Sequence, residues 1–526
     1  MKKKQIILLA VCVAVLLAGI GMKAFFDRNI LVAGNVISRD STAVDLRGKS
    51  VDTADFDKIR AKLPECDILW DVPFQGEKYP STTQKLQVSS LSQEDLQVLA
   101  YFADLKQLDA SECTDYEALL TFRENRPDCE VLYRITLGGK TYSSEETTMN
   151  MESPTLEELE KGLRFLPNLS QLDITGTLPG IAQLQQLRQT YPDVNIRWEV
   201  SYGGKVLHSD DEILDLSGTA LNYEKTVELL QWFPDVQTVD MRGCGLTDKE
   251  MMTLADTNPQ HFFLWEMTIG KVTVRTDAEE IDISNQLVES PEQIEALLPY
   301  FPNLKTVVMS HCGLDDETMD ALNRRHEDIR FIWSVWIWGI PLRTDITYFY
   351  PFKLNPQMSV DDEDLYPLRY CTDVICVDIG HHWGVTNLEW AAFMPNLKYL
   401  IIMETQITDL TPLSGLKNLA YLEIFKTKIT DYSPLLGCTG LEDLNLSKSY
   451  GDYSPIAQMT WLKNLYWNGI YLTRGLPCSD APKVLPDALP DTYMQFYHVA
   501  CVERNGWREL QNYKDMRDLM EMFYLP

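Results

Sequence analysis

Apolar residues recur with a fixed spacing between residues 395 and 472. Leu397, Leu419, Leu441 and Leu462 stand 22, 22 and 21 residues apart. Side chains alternate between the two faces of a strand, so the apolar pairs that follow these leucines predict short strands with one buried face. A period in the twenties predicts stacked coils that bury one continuous core. The pairs are Leu400 and Ile402, Leu422 and Ile424, Leu444 and Leu446, and Leu465 and Trp467.

Proline marks a second fixed position in each coil. The segments Q-I-T-D-L-T-P-L, K-I-T-D-Y-S-P-L and G-D-Y-S-P-I begin at residues 406, 428 and 451, and they contain Pro412, Pro434 and Pro455. Proline fixes φ and cannot donate to a strand ladder, so it favours the turn into a short helix. These segments resemble the internalin type of leucine-rich repeat found in bacterial surface proteins. The resemblance implies a solenoid of parallel strands with helices on its convex side.

The coils depart from that family at the ninth position of the repeat, where the family usually carries asparagine. This chain has Thr405, Thr427, Ser449 and Ile470 at that position. A hydroxyl can satisfy part of the hydrogen bonding of an asparagine amide, whereas isoleucine cannot. We therefore expect that the ladder of hydrogen-bonding side chains at the ninth position differs from that of the family. We also expect that the last repeat departs from the repeat pattern and acts as part of a cap.

A longer repeat occupies residues 40 to 350. Apolar-aromatic strands end at Trp70, Tyr133, Trp198, Trp265 and Trp333, in steps of 63, 65, 67 and 68 residues. A glycine follows each strand after five or six residues, and glycine between alternating segments predicts a hairpin turn. These glycines are Gly76, Gly139, Gly204, Gly270 and Gly339.

The remaining pattern of each long unit predicts strand, helix, strand and helix before the hairpin. Thr247-x-x-Glu250 is a capping signal that predicts the start of one of these helices. The fold class is therefore α/β, a leucine-rich repeat solenoid with hairpin insertions in its N-terminal long repeats. We expect four segments, which are a signal peptide or membrane anchor (1–30), long repeats (31–355), short repeats (356–472) and a C-terminal cap (473–526).

The N-terminus predicts export. Three lysines precede an uncharged run of 17 residues from Ile6 to Met22. A basic stretch before an apolar one is typical of an export signal, and the run is at the short end for a spanning helix. We expect a secreted protein or, slightly favoured, a cell-surface protein held in the membrane by this N-terminal helix alone.

Charge and cysteine content exclude several classes of function. The formal net charge is −30, and such a surface repels phosphate backbones, which argues against nucleic-acid binding. Eleven cysteines, including Cys12 in the apolar run, are too few for a dense disulfide framework, and no C-x-x-C pair occurs. We expect most to be single buried thiols, and we expect Cys244 and Cys312, at equivalent repeat positions, to remain unbonded.

The residues between the framework leucines are the candidate binding surface. They face the concave side of the sheet and lie in lateral rows, with an aromatic-apolar patch beside a polar one. Exposed apolar patches mark interaction sites, so we expect a protein or glycan partner here. The alternative is that the cap or a loop covers this face. The candidate residues are Tyr399, Ile401, Met403, Tyr421, Glu423, Phe425, Asp443, Asn445 and Tyr466.

Catalytic and metal chemistry find little support in the sequence. Aspartates recur in the apolar–Asp–apolar strands and could bind Ca²⁺, but a solvated acidic strip with local hydrogen bonds is favoured. Adjacent His381 and His382 point to opposite faces, so at most one could join Asp378 at a metal. No G-x-S-x-G, H-E-x-x-H, P-loop or G-x-G-x-x-G motif occurs. We expect a binding protein without catalysis or cofactor; the alternatives are an envelope spacer and an envelope hydrolase. The recurring aspartates are Asp45, Asp109, Asp173, Asp215, Asp240, Asp282 and Asp378.

Partner binding is expected to depend on Tyr399, Tyr421 and Phe425 more than on any charge. Aromatic anchors dominate interfaces, so replacing all three by alanine should weaken partner binding by about thirtyfold or more. Glu423→Gln should change mainly the association rate and its salt dependence. Equal binding by the folded triple variant and the wild type would contradict this assignment.

Overall fold

The computed structural model describes residues 16–17, 19–467, 481–496 and 506–521. Contacts divide the chain into two compact units. The first comprises Met1–Leu216 and Ala220–Val239, and the second comprises Ser217–Thr219 and Asp240–Pro526. The expected change from long to short repeats near residue 355 therefore lies inside the second unit, and the four-segment division stays a prediction.

After the helical residues 19–28, the first unit contains short strands and six further helices among its described residues. Its helices are α1 (Thr53–Lys62), α2 (Gln93–Leu99), α3 (Tyr116–Asn125), α4 (Leu156–Phe165), α5 (Ile181–Thr190) and α6 (Tyr223–Leu230). Its strands are β1 (Asn29–Val32), β2 (Asn35–Ser38), β3 (Ala43–Asp45), β4 (Asp67–Leu69), β5 (Asp71–Phe74), β6 (Glu77–Pro80), β7 (Lys85–Gln87), β8 (Gln107–Asp109), β9 (Glu130–Leu132), β10 (Arg134–Leu137), β11 (Lys140–Ser143), β12 (Thr148–Glu152), β13 (Gln171–Thr175), β14 (Asn195–Tyr202), β15 (Lys205–His208) and β16 (Ile213–Asp215). Strand β17 (Thr238–Asp240) lies at the boundary of the two units.

The second unit has a similar first part and then a long sheet. Its strands are β18 (Phe262–Leu264), β19 (Glu266–Ile269), β20 (Val272–Arg275), β21 (Glu280–Asp282), β22 (Thr306–Val308), β23 (Arg330–Ile332), β24 (Ser334–Ile337), β25 (Ile340–Arg343), β26 (Tyr348–Phe349), β27 (Cys376–Asp378), β28 (Tyr399–Ile401), β29 (Tyr421–Glu423), β30 (Asp443–Asn445), β31 (Asn464–Trp467) and β32 (Tyr493–Phe496). Its helices are α7 (Asp248–Thr257), α8 (Pro291–Glu295), α9 (Asp316–Arg325), α10 (Pro351–Leu354), α11 (Asp362–Leu365), α12 (Ala481–Ala488) and α13 (Gln511–Leu519).

The five predicted hairpins of the long repeats are confirmed. Antiparallel pairs join β5 to β6, β10 to β11, β14 to β15, β19 to β20 and β24 to β25. All five turn glycines have positive φ, a conformation in which any other residue is strained. Small parallel sheets such as β7–β8–β9 and β21–β22–β23 lie between the hairpins. The long repeats thus carry a sheet that each hairpin interrupts.

Two local predictions from the long repeats are also confirmed. Thr247 and Glu250 form a reciprocal capping box at the start of α7. The strand aspartates bond locally, as at Asp109 and Asp282, whose carboxylates accept the backbone amides of Ser111 and Ser284, two residues on. This local turn is the favoured alternative to a calcium strip, and it explains why aspartate recurs at the strand ends.

The short repeats form one parallel sheet of seven strands, β26 to β32. Leu400, Leu422, Leu444 and Leu465 are paired in register across β28 to β31. All four are 0% exposed, so each leucine is enclosed between its neighbours as the repeat spacing predicts. The other leg of each coil is a 3-10 turn, and the predicted prolines lie at the starts of these turns. The turns are Glu389–Phe393, Thr411–Leu413, Ser433–Gly437 and Ile456–Gln458.

The ninth position of the coils carries a hydroxyl ladder. Thr405 and Thr427 donate to the carbonyls of Ile402 and Ile424, at 2.8 and 2.9 Å. The Ser449 hydroxyl donates to the Ile424 carbonyl at 2.6 Å and lies 3.2 Å from the Thr427 hydroxyl. Hydroxyls therefore do part of what asparagine would do there. Ile470 lies outside the described residues.

The sheet extends one strand further at each end than the short repeats predict. Phe349 of β26 pairs with Val377, although residue 349 falls in the segment assigned to the long repeats. At the other end Met494 of β32 pairs with Leu465, in the region expected to form the cap. The array therefore begins before its repeat pattern becomes regular and ends after that pattern has faded.

The N-terminal signal lies mostly outside the described residues, which begin at residue 16. Residues 19–28 are helical. Among the residues that are described, we find no helix with the length and apolar character needed to cross a membrane. Eight described cysteines are buried and free of disulfide bonds, including Cys244 and Cys312, as the sequence predicts.

Truncating a framework leucine should destabilise the second unit. Leu422→Ala and Leu444→Ala should each lower the free energy of unfolding by about 2–5 kcal/mol, because both lose burial and leave a cavity. Denaturant unfolding of each variant measures this loss. Leu287→Ala is the matched control, since Leu287 is 81% exposed and should change stability by less than about 0.5 kcal/mol. A loss below about 1 kcal/mol for both buried leucines would contradict the stacked frame.

Candidate functional site

The structure brings the predicted binding residues together on one face of the sheet. One lateral row consists of Tyr399, Tyr421 and Asp443, paired in register across three strands. The other row consists of Ile401, Glu423, Asn445 and Tyr466. Met403 and Phe425 follow the ends of β28 and β29. The lateral arrangement expected from the repeat period is therefore present.

This face is covered by the chain itself. Residues 506–521, hereafter the C-terminal segment, contain the turn Trp507–Glu509 and helix α13. Trp507, Tyr513, Met516 and Met520 form one apolar cluster, whose partners on the sheet are Cys376, Tyr399, Ile401, Tyr421 and Tyr466. The open, exposed patch implied by the sequence is thus closed in this structure. The alternative of a covered face describes it better, and partner binding by these residues stays a prediction.

Not every candidate residue belongs to that cluster. Phe425 is buried outside it, and the Lys448 ammonium lies 5.5 Å from the centre of its ring. Met403 is half-buried and packs against the cluster edge. The contiguous trio of Tyr399, Tyr421 and Phe425 expected from the repeat is therefore a pair of tyrosines with a separate phenylalanine.

Polar contacts fix the C-terminal segment at three points. Trp507 donates its indole N–H to Glu423 Oε2 at 2.9 Å. Asn512, in the first turn of α13, donates to Asp443 Oδ2 at 3.0 Å. Lys353 donates to the Met520 carbonyl at 2.6 Å, at the end of the helix. The segment is therefore held in one register on the face, because each contact requires a particular pair of atoms.

Glu423 is a buried carboxyl at the centre of this contact. It is 1% exposed, and its Oε2 also accepts the Tyr421 hydroxyl at 3.1 Å. Its Oε1 has no hydrogen-bond partner among the described residues. Burial raises the pKa of Glu423, while the bond from Trp507 lowers it. Burying a carboxyl with hydrogen bonds to only one of its two oxygens costs folding free energy. Such a group in a folded protein calls for an explanation, and a binding role is one.

Asp378 and Glu423 line the same small cavity, on strands β27 and β29, with Ile401 of β28 paired between them. The cavity, of about 320 Å³, is enclosed by the sheet face, helix α10 and the C-terminal segment. Asp378 Oδ1 accepts the Gly380 amide at 3.1 Å. Burial, with a smaller contribution from Glu423, raises the pKa of Asp378 to about 6. Two carboxyls of raised pKa therefore share one cavity wall.

The histidine pair lies in the turn after β27 and not on a strand as expected, and its two side chains have different surroundings. His382 is buried against the Phe352 ring, with centroids 4.7 Å apart, and burial lowers its pKa to about 4. His381 is exposed, with its Nδ1 3.6 Å from Glu404. Over the described part of the chain, no group of three or more His, Cys, Asp or Glu is placed to hold a metal ion.

The sequence prediction missed the residues that complete the site, which are Trp507, Arg508, Tyr513, Met516 and Arg517. A signal for part of this set was present. Tyr513, Met516 and Met520 recur at the spacing of one helix face, inside the segment 473–526 that was expected to form the cap. The apolar face of this helix and the apolar face of the sheet are both buried because they pack against each other.

Comparison with known proteins adds structural relatives of low identity. No protein-family model matches the chain. An internalin of Listeria monocytogenes is similar at 18% identity over 60% of this chain and 76% of its own, with a TM-score of 0.20. Internalin C2 of the same organism is similar at 21% identity over 43% and 76%, with a TM-score of 0.20. A leucine-rich repeat protein of Leptospira interrogans is similar at 13% identity over 78% and 93%, with a TM-score of 0.25.

The chain is a leucine-rich repeat protein. Its own coils carry this assignment, since β27 to β31 are parallel strands joined through 3-10 turns around a buried leucine framework. The internalin-type motifs in residues 406–456 lie where those coils turn.

The Asp378 carboxyl should make stability depend on pH. Between its ordinary pKa of 3.8 and its folded value of about 6, the folded chain keeps a proton that the unfolded chain releases. Stability is therefore lost as pH rises through this window. Asp378→Asn keeps the acceptor for Gly380 and removes the charge. At pH 7.5 it should increase the free energy of unfolding by about 2 kcal/mol, and this advantage should shrink as pH approaches 4.

Denaturant unfolding of both proteins at pH 4 and pH 7.5 tests this expectation. Asp282→Asn is the matched control, because Asp282 holds the equivalent strand position and its bonds to Ser284 lower its pKa. It should leave stability unchanged or reduce it at pH 7.5. Equal stability of wild type and Asp378→Asn at both pH values would show that the Asp378 carboxyl is not destabilised by burial.

Proposed function

We propose that this chain is an exported, non-catalytic binding protein that recognises a polypeptide partner through the concave face of its short repeats. The C-terminal segment occupies that face until a partner displaces it. One observation carries the proposal. The face already holds a polypeptide, and it does so through an aromatic cluster and a specific bond from Trp507 to Glu423.

The chemistry of the face favours a protein partner over a glycan. Trp507 is 0% exposed, and its ring lies 4.8 Å from those of Tyr421 and Tyr466, centroid to centroid. A fully enclosed tryptophan among aromatic rings, ringed by polar contacts, is typical of a protein–protein hot spot. A short helix that presents a tryptophan and an apolar stripe would reproduce these contacts, as in other helix-in-groove recognition.

Export and surface location rest on the N-terminal pattern of lysines and apolar residues. Absence of catalysis is supported by the closure of the site, because Glu423 is shielded from solvent.

The same closure gives weight to a second candidate, an envelope spacer whose concave face is permanently filled by its own C-terminus. The two functions differ in whether the segment can be exchanged.

A peptide with the sequence of residues 506–521 tests the exchange. In the full chain, Trp507→Ala combined with Met516→Asp should loosen the tethered segment, because both side chains are buried in the cluster. A fluorescent wild-type peptide should bind this variant, measured by anisotropy. It should bind wild type at least about a hundredfold more weakly, because the tethered segment competes. Trp507→Ala in the peptide should cost about thirtyfold or more in affinity.

Asp518→Ala in the full chain is the matched control, since Asp518 is exposed on α13 and its loss should leave the segment in place. Circular dichroism establishes that each variant is folded. If the folded double variant fails to bind the peptide, or binds the alanine peptide equally well, the face is not a polypeptide site. The spacer would then be favoured, and the exposed Trp336 and Trp338 near the β24–β25 turn would be the next surface to examine.

A further inference from the structure

The cavity beside Asp378 combines two kinds of wall. The sheet side contributes the carboxyls of Asp378 and Glu423, and the C-terminal segment contributes the guanidinium groups of Arg508 and Arg517. Glu509 of that segment also lines the cavity, but its carboxylate is paired with Lys514 at 3.1 Å. Its volume of about 320 Å³ is at the small end of the range of ~300–1,000 Å³ found for small-molecule sites. The cavity therefore fits one small molecule.

Among the described residues, no cation is in ion-pair contact with the acidic wall; the charges of Arg508 and Arg517 act on Glu423 and Asp378 only through space. Glu423 is 1% exposed, and its Oε1 has no hydrogen-bond partner within the described ranges. Asp378 accepts the Gly380 amide through Oδ1. A buried carboxylate needs a charged donor or several hydrogen bonds to offset its desolvation. An ammonium group at this wall would supply both the charge and the hydrogen bonds.

The basic wall lacks an anion. The guanidinium carbons of Arg508 and Arg517 lie 5.5 and 5.8 Å from the centre of the Tyr513 ring. Among the described residues, neither arginine forms an ion pair with a carboxylate within 4.0 Å. Two guanidinium groups beside one ring form the fork-shaped donor set that binds a carboxylate.

The opposite charges face one cavity without pairing across it, which calls for a ligand that carries both charges. We propose that this cavity binds a free, zwitterionic α-amino acid. Its ammonium group contacts Asp378 and Glu423, and its carboxylate contacts Arg508 and Arg517. The side chains of Phe352, Ile401 and Met403 line the remaining wall. That wall selects an apolar amino-acid side chain.

A neutral or singly charged ligand would leave one wall unsatisfied. A site built to hydrogen-bond a group discriminates strongly against analogues that lack it, because its own polar atoms are then left unpaired. The ligand would also join the sheet to the C-terminal segment. This inference does not depend on the proposed polypeptide partner, since it requires only the closed arrangement that the structure shows.

Thermal unfolding of the full chain with each of the twenty proteinogenic L-amino acids tests the proposal, followed by calorimetric titration of the best one. At least one apolar amino acid should raise the Tm in a concentration-dependent way. Its N-acetyl derivative lacks the ammonium group, and its primary amide lacks the carboxylate. Each should bind at least tenfold more weakly than the parent. Sodium phosphate offers an anion to the basic wall, and potassium chloride offers a cation to the acidic wall. Because neither ion carries both charges, each salt should leave the Tm unchanged at matched ionic strength.

Variants assign the two charges to the two walls. Asp378→Asn and Arg517→Gln should each weaken amino-acid binding at least tenfold, and Arg517→Lys should recover part of the loss. Asp282→Asn should bind as wild type, because Asp282 lies outside the cavity. Hydrogen exchange of residues 506–521 reports whether the C-terminal segment stays in place in the Arg517 variants.

Several results would overturn the proposal. One is that no amino acid changes the Tm. Another is that the N-acetyl or amide form binds as tightly as the parent, or that phosphate alone reproduces the shift. A third is that Arg517→Gln, with unchanged hydrogen exchange of residues 506–521, binds with wild-type affinity. Failure of peptide exchange on the concave face leaves these results unaffected, so the two proposals are tested separately.

Discussion

The structure of the second unit depends on burial of apolar edges that no single coil can cover. Leu400, Leu422 and Leu444 each lie between the coils before and after them, and the strand register follows from that stacking. Once the leucines point inward, alternation along each strand forces the intervening residues to the opposite face. The concave rows are therefore a consequence of core packing, and they align without any interaction of their own.

A second constraint is the need to cover the concave rows that contain Tyr421, Glu423 and Tyr466. Those rows carry aromatic rings, which are unfavourable in contact with water, and a carboxyl, which is unfavourable in an apolar core without a hydrogen-bond donor. The indole of Trp507 meets both needs, since its ring packs on Tyr421 and Tyr466 while its N–H bonds to Glu423. Buried polar contacts of this kind give specificity more than stability, because a shifted segment would leave the carboxyl unpaired.

Much of the fold could be predicted from the sequence because periodicity reports burial directly. The leucine frame, the hairpin glycines and the capping box at Thr247 all depend on neighbours within one repeat or the next. The position of the C-terminal segment could not be predicted in the same way. Contact between Trp507 and Glu423 spans 84 residues, and no spacing rule relates a terminal helix to a particular strand. The sequence indicated an aromatic face and a C-terminal cap that was one candidate to cover it, but not which residues of the cap would contact which strands.

If a partner recognises this face as proposed, the covalent link between the face and its cover changes the thermodynamics of that recognition. A segment tethered to its own groove competes at an effective concentration that reaches millimolar values for short flexible linkers. A cover that is in place about 99% of the time lowers the apparent affinity of an outside partner about a hundredfold, even when every contact is identical. Under the proposed exchange, the length of the chain between β32 and Trp507 therefore sets how strongly the cover competes with a partner. Lengthening it would make the face easier to open without altering a single residue that touches the partner.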